Sequence, residues 1–203
     1  MCGILGSINL DNDPNNFKHA LNSLNHRGPD DEGVLNLNLL NKNIVFGHKR
    51  LSIIDIKMGK QPMKSLNAEI FIVYNGEIYN APKLRNILLK KNYKFISENS
   101  DTEVILNAYL EWGEKLVDHL DGMWSFAILD KIKNKIFFSR DKFGEKPFFY
   151  YFKDNKLVFA SELIAFTHIK NLDLRLDEIG LKKYCAYGFF PSEITPYKFI
   201  KKL

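Results

Sequence analysis

The chain has 203 residues, 45% hydrophobic and 26% charged, with a formal net charge of +5, which suits a soluble globular protein of one large domain or two small ones. Its basic residues are scattered, and the densest pairs (Lys90-Lys91, Lys182-Lys183, Lys201-Lys202) lack interleaved aromatics, so composition argues against a nucleic-acid surface. Two cysteines, Cys2 and Cys185, exclude a disulfide framework, and with no signal peptide or membrane-length apolar run the chain reads as cytoplasmic, with no membrane partner.

In chain order, residues 3–10 predict a buried strand whose two glycines mark a close approach of backbone or ligand. Asp13-Pro14 predicts a helix start, with Phe17, Ala20, Leu21 and Leu24 on one face. A polar loop over 26–33 leads to strands at 34–39 and 43–48, joined at Asn41-Lys42. The run Ile70-Phe71-Ile72-Val73-Tyr74 predicts a strand ending in a turn at Asn75-Gly76. A helix follows with Asn80 as cap, Pro82 in its first turn and Leu84, Ile87 and Leu88 inward.

Ser100-Asp101-Thr102-Glu103 has capping-box spacing before a second apolar stripe that Gly113 is expected to stop. The second half predicts strands at 124–129, 135–139, 147–152 and 156–160, the first covered on both faces. Helices near Ser161 and over 177–186 follow, and 188–203 reads as a connection. Strands, helices, then strands again imply two packed sheets flanked by helices rather than βαβ units.

Four polar clusters stand at strand ends or helix starts. Cys2, exposed by removal of Met1, would carry a thiol and a free α-amine; the amine, with a pKa of about 7.7–8.0, can serve as its own general base. Taken alone, Cys2 reads as a small packing residue. Arg50, leaving a strand, can clamp a carboxylate with its planar fork or form a surface ion pair. Asn75-Gly76 can supply an amide and a backbone N–H as an oxyanion hole, or be an ordinary turn. Asp101, at a helix N-terminus that favours its ionised form, can hold an ammonium or only improve the helix. A turn explains Asp121-Gly122 and an ion pair explains Arg140-Asp141. The histidines show no metal-ligand spacing and no phosphate loop is present, so no metal or cofactor is expected. Together the clusters describe one ligand, an amide carbonyl to attack and an amino-acid head group to hold: L-glutamine.

The blocks MCGI, HRGPDDEG, GHKRLSIID, QPM, YNGEIYN, SDTEVIL, DGMWSFAILD and RDKFGEKPFFY, in that order, resemble the glutaminase domain of asparagine synthetase-like enzymes, class II glutamine amidotransferases. The resemblance covers nearly the whole chain. It implies an α+β fold, a four-layer α/β/β/α sandwich of the N-terminal-nucleophile hydrolase type. It further implies Cys2 as nucleophile, Asn75 and Gly76 as oxyanion hole, and Arg50, Asp101, Glu77 and the backbone around Ile53 as the glutamine pocket. The expected division is an amidotransferase domain at 1–187 and a linker at 188–203 toward a synthetase domain, in cis or in trans. ATP and Mg would belong only to that domain, whose Ser-Gly-Gly-x-Asp-Ser loop the chain does not contain. A homodimer is compatible. Competing readings are an inactive remnant serving as an interaction module, the glutaminase part of an enzyme amidating a sugar acid or other acceptor, and an N-terminal-nucleophile amidohydrolase of different substrate. The last has no use for both Arg50 and Asp101.

Overall fold

A computed structural model of the chain describes residues 1–10 and 14–203. In chain order these form β1 (Gly3–Ile8), α1 (Pro14–Asn22), β2 (Asp31–Leu39), β3 (Lys42–Arg50), β4 (Met63–Lys64), β5 (Ile70–Ile78), α2 (Ala81–Lys90) and α3 (Asp101–Trp112). A 3-10 turn (Gly113–Asp118) leads to β6 (Gly122–Asp130), β7 (Lys135–Arg140), β8 (Phe149–Lys153) and β9 (Lys156–Ala160). The chain then runs through α4 (Ile164–Thr167), α5 (Glu178–Tyr187) and β10 (Ile200–Lys202).

Two antiparallel sheets stack face to face. One has the order β10-β8-β9-β1-β3-β2 and the other β4-β5-β6-β7. Between them lies an apolar layer of Ile4, Ile8, Phe46, Phe71, Val73, Leu129, Phe148 and Phe159. Alternation sends the intervening residues outward: Ile70, Ile72, Tyr74, Phe126 and Ile128 pack against α2 and α3, while Leu5, Val45, Val158 and Ala160 pack against α1 and α4. The result is the four-layer α/β/β/α sandwich. The central strands β3 and β6 are buried on both faces, whereas edge strand β2 alternates between half-buried and exposed positions, as one covered face requires.

Several expectations change. Asn75-Gly76 is not a turn: β5 runs straight through it, pairing Asn75 with Ser125 and Gly76 with Trp124. A continuous ladder against a buried strand outweighs the local turn preference. Gly76 serves close approach instead, since a Cβ there would collide with Met123 O and meet Tyr74 Cε2 at 2.6 Å. Gly6 does the same in β1, where a side chain would collide with the Phe159 ring. The polar loop 26–33 already enters β2 at Asp31, because Asp31 and Glu32 pair with Arg50 and Lys49.

Asn80 occupies the N-cap of α2 but makes no side-chain cap bond; it donates to His119 O and accepts from Asp121 N, tying the helix start to the chain before β6. Ser100 caps α3 by accepting from Glu103 N at 3.4 Å. The Glu103 carboxylate does not return to it, accepting instead from Ile96 N and Ser97 N. Gly113 ends α3 at φ 60°, and the chain continues into the 3-10 turn. The helix expected near Ser161 is only Ile164–Thr167. The cap expected at Asp13 lies outside the described residues.

The stretch 188–203, expected as a linker, is partly built into the domain. Ile200–Lys202 add an edge strand to the six-stranded sheet, and Ile200 is fully buried.

Candidate active site

The register brings the polar clusters together. On β1, β3 and β5 the residues facing the inter-sheet layer are apolar along most of the strand and polar at one end. Ile4 gives way to Cys2, Phe46 to His48 and Arg50, and Val73 to Asn75 and Glu77. With α3 starting at the same end, a cavity of about 140 Å³ forms there, lined by residues that include Cys2, Arg50, Leu51, Ile53, Gln61, Tyr74, Asn75, Gly76, Glu77, Asp101, Met123 and Lys146. A water needs about 10–15 Å³ of such space, so the cavity suits an amino-acid-sized ligand. Every predicted site residue is on it.

Cys2 Sγ accepts the Leu51 backbone N–H at 3.4 Å, and Cys2 O accepts from Arg27 Nε at 3.0 Å. Burial raises the thiol's pKa, against the Leu51 amide, the N-terminal charge and Arg50, which lower it. Met1 precedes it, 55% exposed, with its sulfur 3.9 Å from Arg27 Nη2 and 3.5 Å from Lys146 Nζ.

Asn75 is 2% exposed and its Nδ2 has no hydrogen-bond partner among the described residues. A buried amide donor left unpaired costs about 1–3 kcal/mol, and on the lining of a cavity this one is open to a ligand acceptor. Gly76, following in the same strand, presents bare backbone to the cavity.

Arg50 makes no ion pair with any described carboxylate. It is buried, and its guanidinium donates to the carbonyls of Ile56 (3.0 Å), Ile54 (3.1 Å) and Asp55 (2.7 Å), holding the loop whose Ile53 and Ile54 line the cavity. Guanidinium has five N–H donors, and these bonds leave capacity for a ligand. The Ile53 side chain is exposed, so only its backbone is suited to line the site. The Asp101 carboxylate is buried at the start of α3, accepting from Tyr74 Oη (2.9 Å), Ile78 N (3.2 Å) and Thr102 N (2.9 Å). Burial raises its pKa, opposed by those three donors. It is a desolvated acid without a cation, which an arriving ammonium would relieve. Glu77 is half-buried on the same wall.

The supporting roles of Gln61, His48, Asp141 and Lys146 escaped the sequence reading. Gln61 Oε1 accepts from Tyr74 N at 2.6 Å and its Nε2 donates to Thr102 Oγ1 at 3.4 Å, joining β5 to α3 beside the cavity. His48 Nε2 donates to Tyr74 O at 3.0 Å, crossing between the sheets; the paired carbonyl requires that nitrogen to carry the proton, leaving Nδ1 bare and unpartnered. Burial drives the His48 pKa from 6.5 to about 4. Asp141 is no ion-pair partner of Arg140. It accepts the backbone amides of Trp124, Phe143, Glu145 and Lys146, while Arg140 donates to the carbonyls of Lys146, Gly144 and Leu203. The loop so braced inserts Lys146 into the cavity. The polar end of each inward-facing strand row was the signal available for His48; the others follow from loop geometry alone.

A family model for the glutamine amidotransferase domain matches residues 1–203. The chain belongs to that family. Among relatives of this amidotransferase domain, asparagine synthetase [glutamine-hydrolyzing] 3 of Bacillus subtilis is 38% identical over 213 residues, covering all of this chain and 33% of the relative. A Methanocaldococcus jannaschii protein provisionally named asparagine synthetase [glutamine-hydrolyzing] 2 is 39% identical over 225 residues, covering all of this chain and 42% of its own length. The domain thus spans about a third to two-fifths of these relatives. Among solved structures, the Bacillus subtilis glutamine phosphoribosylpyrophosphate amidotransferase complexed with ADP and GMP aligns with TM-score 0.66 at 21% identity, over 82% of this chain and 43% of that one. A structure titled as the allosteric regulatory enzyme of purine biosynthesis gives TM-score 0.68 with the same identity and coverage. These share the fold, the four-layer sandwich described above.

Proposed function

We propose that this domain hydrolyses L-glutamine to glutamate and ammonia through Cys2, once Met1 has been removed. The free α-amine accepts the thiol proton as sulfur attacks the side-chain carbonyl. Asn75 Nδ2 and the Gly76 N–H receive the developing oxyanion. Collapse expels ammonia, which takes the proton back from the amine and leaves a thioester on Cys2. Water, deprotonated by the same amine, attacks the thioester, releasing glutamate and restoring the thiol. Arg50 holds the substrate carboxylate and Asp101 its ammonium, with Glu77 and the backbone at Ile53 completing the pocket.

The observation that carries this reading is the orphaned Asn75 amide, buried on the lining of the same cavity as Cys2. The test is ammonia release from glutamine by protein whose intact mass shows loss of Met1. Activity in Cys2→Ala, or in protein retaining Met1, would overturn it, because an amide nitrogen is no base.

The ammonia would pass to a synthetase domain, in cis or in trans, and the relatives' names favour aspartate as its acceptor. ATP and Mg would serve that second reaction; the glutaminase step needs neither. Residues 188–203 would then be both the edge of the sheet and the lead toward that domain.

A further inference from the structure

Lys146 is 7% exposed and lines the cavity, and among the described residues no carboxylate lies within ion-pair distance of its Nζ. A buried lysine is normally paired. The polar contact that its ammonium makes is to Met1 Sδ at 3.5 Å, a weak acceptor on the residue that must leave. Its backbone, by contrast, is firmly held: the amide donates to Asp141 Oδ2 at 3.0 Å and the carbonyl accepts from Arg140 Nε at 2.7 Å. The loop is built to keep this ammonium beside the N-terminus.

The other charges around Cys2 have counter-charges once substrate is bound. Arg27, from the loop after α1, pairs with Glu162 at 2.7 Å, and His26 meets the same carboxylate at 3.1 Å. Arg50, ending β3, would take the substrate carboxylate, and Asp101 on α3 its ammonium. Tyr74 on β5 is committed to Asp101, and Asp141 to backbone amides. Glu77 on β5 and Glu145 on the Lys146 loop remain; Glu77 is half-buried, and both stay partly screened by water.

We propose that Lys146 is a positioning residue for the Cys2 α-amine: its uncompensated ammonium disfavours a second positive charge there and keeps the amine neutral and able to accept the thiol proton. This rests on the glutaminase reading above. A nearby cation lowers the proton affinity of an amine, and this one lies 3.5 Å from the side chain of Met1, the residue that precedes Cys2. At the ordinary pKa of about 7.7–8.0 only a minor fraction of the amine is neutral at pH 7, and the Lys146 charge enlarges that fraction.

The test uses the full chain released from a cleavable leader so that every variant begins at Cys2. Lys146→Met should move the acidic limb of the kcat/KM profile for glutamine to higher pH by about 0.5–1 unit, a loss of about three- to tenfold on that limb with recovery on the alkaline plateau. Lys146→Arg should restore the wild-type limb. A Lys146→Met limb coincident with wild type, or a uniform loss at all pH values, overturns the proposal. Should Lys146→Met not fold, NMR titration of the ¹⁵N-labelled Cys2 α-amine in the wild type decides. A pKa below the ordinary value of about 7.7–8.0 supports the proposal and one at or above it refutes it. Wild-type protein that releases no ammonia would sink the glutaminase reading, while the NMR titration still judges Lys146.

Discussion

Asn75 shows most directly how single residues trade stability for chemistry. Its Nδ2 is buried without a partner among the described residues, so truncation removes the proposed oxyanion donor but no structural bond to that nitrogen. Asn75→Ala should lower kcat for glutamine hydrolysis by about 10²–10³-fold. The same variant should lose less than about 1 kcal/mol of unfolding free energy in urea, since the penalty of the orphaned donor goes with it. Asp101 is the opposite case. Its carboxylate holds Tyr74 and the Ile78 amide as well as facing the cavity. Asp101→Asn should raise KM for glutamine at least tenfold, about 1.4 kcal/mol of lost head-group attraction, and also destabilise the fold; steady-state kinetics beside a melting curve separate the two effects.

Among the elements, the loop between β7 and β8 depends on one side chain. Asp141 accepts four backbone amides, and hydrogen bonds to a charged acceptor are worth more than neutral ones. Asp141→Ala should therefore destabilise by about 3 kcal/mol in chemical denaturation and misplace Lys146. Burial raises the Asp141 pKa, but the four amides more than reverse this, and the net shift is downward from 3.8. A depressed folded value means that the stabilisation is present above about pH 4 and lost as pH falls below it. Strand β5 makes a second point about elements. Gly76 sits where a Cβ would strike Met123 O on the paired strand, so Gly76→Ala should abolish glutamine hydrolysis by pushing β5 off β6 at the site itself.

At the scale of the molecule, the two sheets are joined chiefly by apolar packing, with His48 as a polar tie from β3 to the Tyr74 carbonyl on β5. Its pKa falls, through burial, to about 4 from 6.5. The unfolded chain therefore takes up a proton below pH 6.5 that the folded chain refuses until about pH 4. Stability is full above pH 6.5 and declines down to about pH 4. The expected loss between pH 7.5 and 5 is about 2 kcal/mol, measured as urea midpoints. His48→Gln, which has no proton to gain, should lose that part of the slope.

Much of the site was legible from residue types. Cys2, Arg50, Asn75, Gly76 and Asp101, chosen for the one ligand they could share, all line one cavity, and the order of the motif blocks identified the family. The apolar periods of β1, β5, β6, α2 and α3 followed from burial, because alternation and the helical stripe are local properties of the chain. What local pattern could not supply was register. Asn75-Gly76 has the dipeptide signature of a turn and became strand because β6 lay alongside to complete its ladder. Asp141 and Arg140 looked like an ion pair and instead bind backbone amides and carbonyls of a loop whose path no neighbouring residue encodes. Lys146 and His48 gained their meaning only from what surrounds them after folding, one lacking a counter-charge and the other lacking solvent. Sequence by itself determined which groups could react; the stacking of two sheets decided that they meet, because convergence over a hundred residues of chain depends on strand pairing and burial rather than on any local preference.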